Sequence, residues 1–169
     1  IVTRKSLENA ATVVAASGGS TNAGLHLPAI AHEAGIAFDL ADVCEIFRRT
    51  PYIADLKPAG RYVAKDMFEA GGMPVLLKAL FDGGYIHGDC LTVTGKTMAE
   101  NLEGVVFPTG QDVIRPTGAP LSPVGGVVGL SGSLAPQGAI VKVAGLHALQ
   151  FRGPARCFDS EEECFAAVE

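Results

Sequence analysis

The spacing of apolar residues along the first hundred positions predicts a series of short helices. From Ser6 to Ala16 apolar residues recur at helical spacing, and Gly18 and Gly19 end that helix. The same spacing, with glycine or proline closing the runs, predicts further helices over residues 21–34, 40–49, 64–70, 74–82 and 98–102. Apolar runs at 52–56 and 90–95 predict extended segments between them. Helices that alternate with short strands favour an α/β fold.

The ends of the predicted helices carry recognisable capping residues. Ser20 is the expected N-cap of the helix over 21–34, and Gly35 is its expected stop. Pro28 lies inside that helix and is expected to kink it or shift its start, because proline has no N–H and its ring crowds the preceding turn. Asp39 is expected to cap the helix that follows.

The composition changes past about residue 104. Gly, Pro and β-branched residues then dominate, and the pattern predicts strands over 125–130, 139–144 and 151–158. The acidic run that begins at Asp159 is expected to cap a last helix that ends at Glu169. We therefore place a boundary near 105–112 between an α/β unit and a β-rich unit. The β-rich unit, at about 60 residues, has too few strands to close a barrel by itself.

Charge and composition exclude several classes of partner. The chain of 169 residues is 48% hydrophobic, which is enough for a sizeable core. Its net charge is -5 and its Lys and Arg residues are scattered, so we expect neither nucleic acid nor an anionic membrane as a partner. No apolar run approaches the roughly 20 residues of a bilayer span and no signal peptide is recognisable, so a soluble, cytoplasmic protein is expected. The chain begins at Ile1 without Met and ends within a helix-like stretch, which indicates a fragment of a longer protein.

Two features that suggest metal or nucleotide chemistry lack the required spacing. Cys44, Cys90, Cys157 and Cys164 form no C-x-x-C motif and no Cys/His cluster, so we expect reduced, mostly buried thiols. The run 95–97, Gly-Lys-Thr, looks like the end of a phosphate-binding loop. A Walker A loop, however, needs a glycine where Cys90 stands, so nucleotide hydrolysis is not expected.

The strongest candidate for a binding site is the loop between the first two helices. It combines a glycine pair with small polar side chains, and its residues are Ser17, Gly18, Gly19, Ser20, Thr21 and Asn22. It precedes a helix N-terminus, where unpaired N–H groups and the macrodipole attract carboxylate or phosphate. Asn22 and His26 are four residues apart and are expected to share a helix face beside the loop. The simpler alternatives are a well-capped buried turn and a hydrogen-bonded core histidine.

Four blocks of sequence together resemble one enzyme family. They are SGGSTNAGLHLPAIAHEAGI at 17–36, AGGMPVLLKAL at 70–80, DCLTVTGKTMAENL at 89–102 and LSGSLAPQGAIVKVAG at 130–145. These blocks strongly resemble the dihydroxy-acid and phosphogluconate dehydratases, a family that includes sugar-acid dehydratases, and the resemblance covers nearly the whole chain. The form TVTGKTMAENL looks closer to sugar-acid members such as arabonate dehydratase.

The resemblance implies a lyase that removes water from a 2,3-dihydroxy acid to give a 2-keto acid. The substrate would be a branched-chain precursor or a sugar acid, and the implied cofactors are an iron-sulfur cluster and a magnesium ion. The implied fold is the end of an α/β N-terminal domain, here 1–106, followed by the start of a β-barrel-like, swivelling C-terminal domain, here 107–169. Full-length members are expected to be homo-oligomers.

The resemblance also implies which groups this chain lacks. It places the family's cluster cysteines, most magnesium ligands and a proposed serine base outside the chain, and none of the four cysteines matches a cluster motif. We therefore expect no catalytic residue, metal or cofactor on this segment alone, which would then be inactive. Residues 17–22 are expected to offer hydroxyl and amide groups to the substrate carboxylate. His26 is expected to support these residues without contacting the substrate.

Two alternatives to a dehydratase segment stay open. One is a non-catalytic anion-binding module that uses the same loop. The other is an interaction fragment whose incomplete barrel associates with itself or with a missing half.

Overall fold

The computed structural model describes residues 1–146, 150 and 152–169, and these form a mixed arrangement of helices and strands. The helices are α1 (Arg4–Ser17), α2 (Ala23–Glu33), α3 (Leu40–Arg49), α4 (Ala64–Glu69), α5 (Gly72–Asp82), α6 (Met98–Leu102) and α7 (Glu161–Val168). The strands β1 (Val127–Gly132) and β2 (Ala135–Lys142) pair antiparallel as a hairpin. None of the helices described is long and apolar enough to cross a membrane.

Helix α1 contributes to two hydrophobic cores. It begins at Thr3, whose side-chain oxygen accepts the backbone N–H of Ser6 at 3.1 Å, so one of the free N–H groups of the first turn is satisfied. Its buried positions are mostly small, which lets neighbouring segments approach the helix closely. The first core gathers α1, α4, α5 and the segments around them, and includes Ala16, Ile53, Ala54, Met67, Val75, Leu76, Leu80, Leu102, Val113 and Ile114. The second gathers α1, α2, α3 and β1, and includes Leu7, Ala11, Ala15, Leu27, Ala31, Val43, Ile46, Phe47 and Val127.

The C-terminal end of α1 is the point where separate segments of the chain meet. The carbonyl of Ala16 accepts the backbone N–H of Ile53 at 2.9 Å and that of Ala54 at 3.1 Å. The carbonyl of Ala15 accepts the backbone N–H of Gly126 at 3.1 Å. The last carbonyls of a helix have no partner within it, so these bonds fix an extended segment and the start of the hairpin to the same helix end.

The helices predicted from apolar spacing are confirmed, and the caps explain their bounds. The N-cap of α3 is Asp39, whose carboxylate accepts the N–H of Asp42 at 3.0 Å. The helix buries Val43, Ile46 and Phe47, which recur at helical spacing. Ser160 caps α7 by accepting the N–H of Glu163 at 3.2 Å. The segment 52–56 is extended, and it forms isolated bridges rather than a strand of a larger sheet.

Helix α2 begins later than the sequence predicts. Its N-cap is Asn22 rather than Ser20, whose hydroxyl instead accepts the N–H of Asn22 at 3.2 Å within the loop. The shifted start leaves Pro28 in the helix interior. Gly35 follows the helix in the left-handed region, with φ 67°, and is the predicted stop.

Three other predictions from the pattern are wrong. Residues 90–95 form no strand, because the N–H of Thr92 donates to Lys96 O and that of Gly95 to Thr92 O in a tight turn. Pro74 occupies the third rather than the first position of α5. Of the strand predicted over 151–158, residues 152–158 form no regular element, and residue 151 lies outside the described residues.

The mixed α/β class is confirmed, whereas a barrel is not. The described strands make one two-stranded antiparallel sheet. Val127 of β1 lies in the second core, and α3 packs against β1, so the hairpin is fixed to the helices.

The second core depends strongly on Phe47, whose side chain is fully buried. We expect Phe47→Ala to lower the free energy of unfolding by about 3–5 kcal/mol, because it removes buried apolar area and leaves a cavity. The matched control is Phe68→Ala, since Phe68 is 80% exposed. That change should stay within about 0.5 kcal/mol in the same urea titration. Equal losses for the two variants would contradict this assignment of the core.

Candidate functional site

The candidate loop starts where α1 ends in a left-handed glycine. Gly18 has φ 59° and ψ 38°, and its N–H donates to Ala15 O at 3.3 Å. The next amide, of Gly19, donates to Val14 O at 2.9 Å. A residue with a side chain adopts this conformation only with strain, so glycine lets the chain turn directly from α1 towards α2.

Some hydrogen-bonding groups of the loop are bonded to nearby residues, and others have no partner among the described residues. The Ser17 hydroxyl donates to Val13 O at 2.7 Å, and the Ser20 hydroxyl accepts the N–H of Asn22. The backbone N–H groups of Ser20 and Thr21 donate to no acceptor among the described residues. Two adjacent amides and the hydroxyl of Thr21 can therefore donate to a ligand, and anions are common ligands of such amide pairs.

The loop lines a cavity of about 450 Å³, which we call the loop cavity. Its described lining residues are Ser17, Gly18, Gly19, Ser20, Thr21, Leu56, Lys57, Pro58 and Lys142. Five of the six loop residues predicted from the sequence thus meet around one space, and its volume suits a small acid. Asn22 and His26 do not line it, and both are exposed, so the alternative of a core histidine is wrong.

Tyr52 packs against the back of the loop. A Cβ on Gly18 would lie 2.9 Å from the Tyr52 ring, so the ring occupies the space that the missing side chain leaves. Tyr52 is 7% exposed, and its hydroxyl has no hydrogen-bond partner among the described residues. Burial raises the pKa of this phenol, and the nearby carboxylate of Asp55 raises it further.

An ionic network fixes the turn that carries Lys57. Arg61 forms ion pairs with Asp55 at 2.5 Å and with Asp112 at 2.8 Å, and its guanidinium lies 4.8 Å from the centre of the Tyr62 ring. The pKa of Asp112 is lowered by the hydrogen bond from the Tyr62 hydroxyl and by Arg61. These contacts join residues 55–62 to the segment that follows α6, and they hold the turn beside the loop.

The end of the hairpin lies against the same loop. The N–H groups of Val143 and Ala144 both donate to Gly126 O at 2.9 Å, and Gly126 is itself bonded to α1. A Cβ on Gly126 would lie 2.8 Å from Ala144 Cβ and 2.9 Å from Gly18 Cα. Only glycine permits this approach, which brings Lys142 to the cavity.

The described residues do not fit a metal ion or an iron-sulfur cluster. No group of three or more His, Cys, Asp or Glu side chains within the described part of the chain could hold a metal. All four cysteines are free, but the expectation that most are buried is wrong, because Cys157 and Cys164 are exposed. Burial raises the pKa of the thiols of Cys44 and Cys90, which disfavours the thiolate that a metal requires.

A larger cavity, of about 620 Å³, lies between α3 and the hairpin. It contains none of the site residues predicted from the sequence. Its charged lining residues, Glu45 and Arg48, form an ion pair with each other, so they leave no net charge for a ligand. The loop cavity is therefore the better candidate.

Comparison with known proteins agrees with the resemblance seen in the sequence. Residues 1–101 match the family model described as dihydroxy-acid/6-phosphogluconate dehydratase N-terminal, and residues 112–169 match its C-terminal counterpart. The chain belongs to this dehydratase family.

Several bacterial and archaeal relatives share high identity with this dehydratase segment. It is 72% identical to dihydroxy-acid dehydratase 2 of Mesorhizobium japonicum, over 99% of the chain and 29% of that protein. It is 70% identical to dihydroxy-acid dehydratase of Parvibaculum lavamentivorans, over the whole chain and 30% of that protein. The identity to dihydroxy-acid dehydratase of Saccharolobus islandicus is 50%, over the whole chain and 31% of that protein. The segment thus spans less than a third of these relatives.

Sequence reasoning missed Lys57, Lys142 and Tyr52 as neighbours of the loop. Lys57 follows an apolar run that predicts an extended segment. Lys142 lies in a run whose pattern predicts a strand and gives no sign of a binding site. Their proximity to Ser20 and Thr21 arises from tertiary packing, for which local periodicity carries no signal.

Close packing at Gly126 can be tested directly. We expect Gly126→Ala to lower the free energy of unfolding by about 1–3 kcal/mol, because the added methyl group collides with Ala144 and Gly18. Gly118→Ala is the control, since a Cβ there has no atom within 4 Å. It should be neutral or stabilising by up to about 1 kcal/mol in urea unfolding. Equal stability of the Gly126 variant and the unmodified chain would refute the packing described.

Proposed function

We propose that this chain is the part of a hydro-lyase that holds the carboxylate of a 2,3-dihydroxy acid while the acid loses water to give a 2-keto acid. Family membership and relatives named dihydroxy-acid dehydratase support the reaction class. The observation that carries the binding role is the pair of free amides of Ser20 and Thr21 at the loop cavity. Adjacent N–H groups are well suited to a carboxylate.

Held there, the acid is oriented for the reaction by groups of this chain. A dehydration of this kind removes the proton at C2 and the hydroxyl at C3, and negative charge spreads towards the carboxylate as the proton leaves. Donors already in place around the carboxylate stabilise that charge without rearranging. The same donors fix the position of C2 and C3 relative to the rest of the active site.

The iron-sulfur cluster and magnesium ion implied by the family resemblance would be held by residues outside the described part of this chain. Among the described residues, the His, Cys, Asp and Glu side chains offer no matching site. We accordingly propose that the isolated segment is inactive and that the whole enzyme supplies the reacting groups.

We also propose a domain division, an oligomeric state and a substrate class for the enzyme. The segment would comprise the end of the α/β domain, 1–106, and the start of a barrel-like domain, 107–169, within a homo-oligomeric enzyme. The substrate would be a branched-chain precursor or a sugar acid. The relatives' names support the wider class of dihydroxy acids.

The loop's role is tested in the whole protein that carries this segment. We expect it to form a 2-keto acid from a 2,3-dihydroxy acid, and expect Ser20→Ala with Thr21→Ala to raise KM about tenfold. The variant keeps both backbone amides and removes the two hydroxyl groups beside them. Losing hydrogen bonds from these hydroxyls to a charged group raises KM more than it changes kcat when they bind the substrate and the transition state equally. Keto-acid formation is measured across substrate concentrations.

The matched control replaces exposed residues of the same types, Thr109→Ala with Ser133→Ala, which lie outside the cavity. It should leave KM unchanged. No keto acid from the whole protein would contradict the reaction class. An unchanged KM in the loop variant would contradict binding through the hydroxyls of Ser20 and Thr21, and anion binding without any reaction would favour the non-catalytic module.

A further inference from the structure

The charges that described residues contribute to the lining of the loop cavity are all of one sign. Among its described lining residues the only ionisable side chains are Lys57 and Lys142, and neither forms an ion pair with a described residue. This contrasts with the whole chain, which has 13 basic and 18 acidic residues. Two cations without counter-ions repel each other, so an anion between them lowers the energy of the site.

The position of Lys142 is set by backbone contacts rather than by its own side chain. It is the last residue of β2, and the next two residues are both bonded to Gly126 O, at 2.9 Å. Gly126 is bonded in turn to the end of α1. The lysine therefore enters the cavity from a strand end that is fixed to the helix preceding the loop.

The position of Lys57 is set by a different part of the chain. Its N–H donates to Tyr62 O at 2.7 Å, and the N–H of Gly60 donates to Leu56 O at 2.8 Å, which closes the turn. The turn also touches the strand end, because a Cβ on Gly145 would lie 2.9 Å from Ala59 O. Both lysines are thus placed at the lining of one cavity by contacts that do not involve their charges.

We infer that Lys57 and Lys142 form a two-lysine clamp that makes the loop cavity a site for an oxyanion, either a carboxylate or a phosphate group of a small acid. This inference rests on the proposed function in taking the loop as the place where the acid's anionic group binds. It adds two residues that determine the charge of the ligand, and it assigns them from two separate segments.

The clamp has a chemical consequence for selectivity. The amides of Ser20 and Thr21 can bind a neutral carbonyl as well as an anion, whereas two ammonium groups favour charge. A neutral polyol of the same size should therefore bind far more weakly than its acid. Binding should also weaken as salt rises, since the cavity is open to solvent ions.

The clamp is tested by calorimetry on the 169-residue chain with three probes: glycerate, the smallest 2,3-dihydroxy acid, inorganic phosphate, and glycerol as the neutral polyol. We expect saturable binding of at least one anion and none of glycerol. Lys57→Gln and Lys142→Gln should each weaken anion binding about fivefold to tenfold, as expected for a charge-assisted contact partly screened by solvent. Tighter glycerate indicates a carboxylate site, and tighter phosphate indicates a phosphate site.

Controls separate charge from folding. Lys96→Gln makes the same change in net charge at an exposed residue outside the cavity and should bind as the unmodified chain does. Lys57→Arg and Lys142→Arg keep the charge and should retain most of the affinity. Circular dichroism checks that each variant is folded.

A second readout needs no variant. Acetylation of the unmodified chain, followed by mass spectrometry, should show Lys57 and Lys142 protected by the bound anion, with Lys65 and Lys96 unprotected. Equal acetylation rates with and without anion, no saturable anion binding, or full affinity in both Gln variants would each overturn the clamp.

The outcomes also separate this inference from the proposed function. If the whole protein forms a keto acid while the clamp variants keep an unchanged KM, the clamp is wrong and the function stands. If the chain binds anions through both lysines while the whole protein forms no keto acid, the clamp stands and the reaction class is wrong.

Discussion

The satisfaction of the last carbonyls of α1 is the constraint on which the rest of the structure depends. Ala15 O and Ala16 O lie at a buried helix end, where unpaired carbonyls would be costly, and they accept amides from the extended segment after Thr50 and from Gly126. Small side chains at this end let both segments approach the helix axis. One helix end therefore fixes the relative positions of two cores, the turn at 57–60 and the hairpin.

The candidate site is a consequence of the same arrangement. The loop leaves α1 through a left-handed glycine, and the two other segments bonded to this helix end each deliver one lysine to the cavity beside it. The site therefore needs no contact between the lysines to assemble, and its charge is available for a ligand. Within the dehydratase family, our proposal is that this segment positions the acid and that groups elsewhere in the enzyme carry out the bond breaking.

Local features of the sequence were enough to predict the helices and the position of the loop between α1 and α2, whereas the loop's role in binding stays a prediction. Asp39 and Ser160 cap the helices predicted to follow them, and the bounds of α6 match the prediction. The strand predicted over 90–95 is wrong. The hydrogen bonds of this segment close a turn, and these contacts outweigh its strand propensity. The presence of Lys57 and Lys142 at one cavity could not be predicted from the sequence, since it depends on tertiary contacts at Gly126 and Ala59. The domain division at 106/107 stays a prediction.

The central claim is that the packing at the end of α1 creates an anion site at the loop. Amide NMR of the chain during titration with glycerate tests it most directly, because an amide signal moves strongly when its N–H donates to an anion. We expect large, saturable shifts for Ser20 and Thr21, with little change at Gly35, which follows the C-terminal end of α2. Saturable shifts elsewhere, with the signals of Ser20 and Thr21 unmoved, would contradict it.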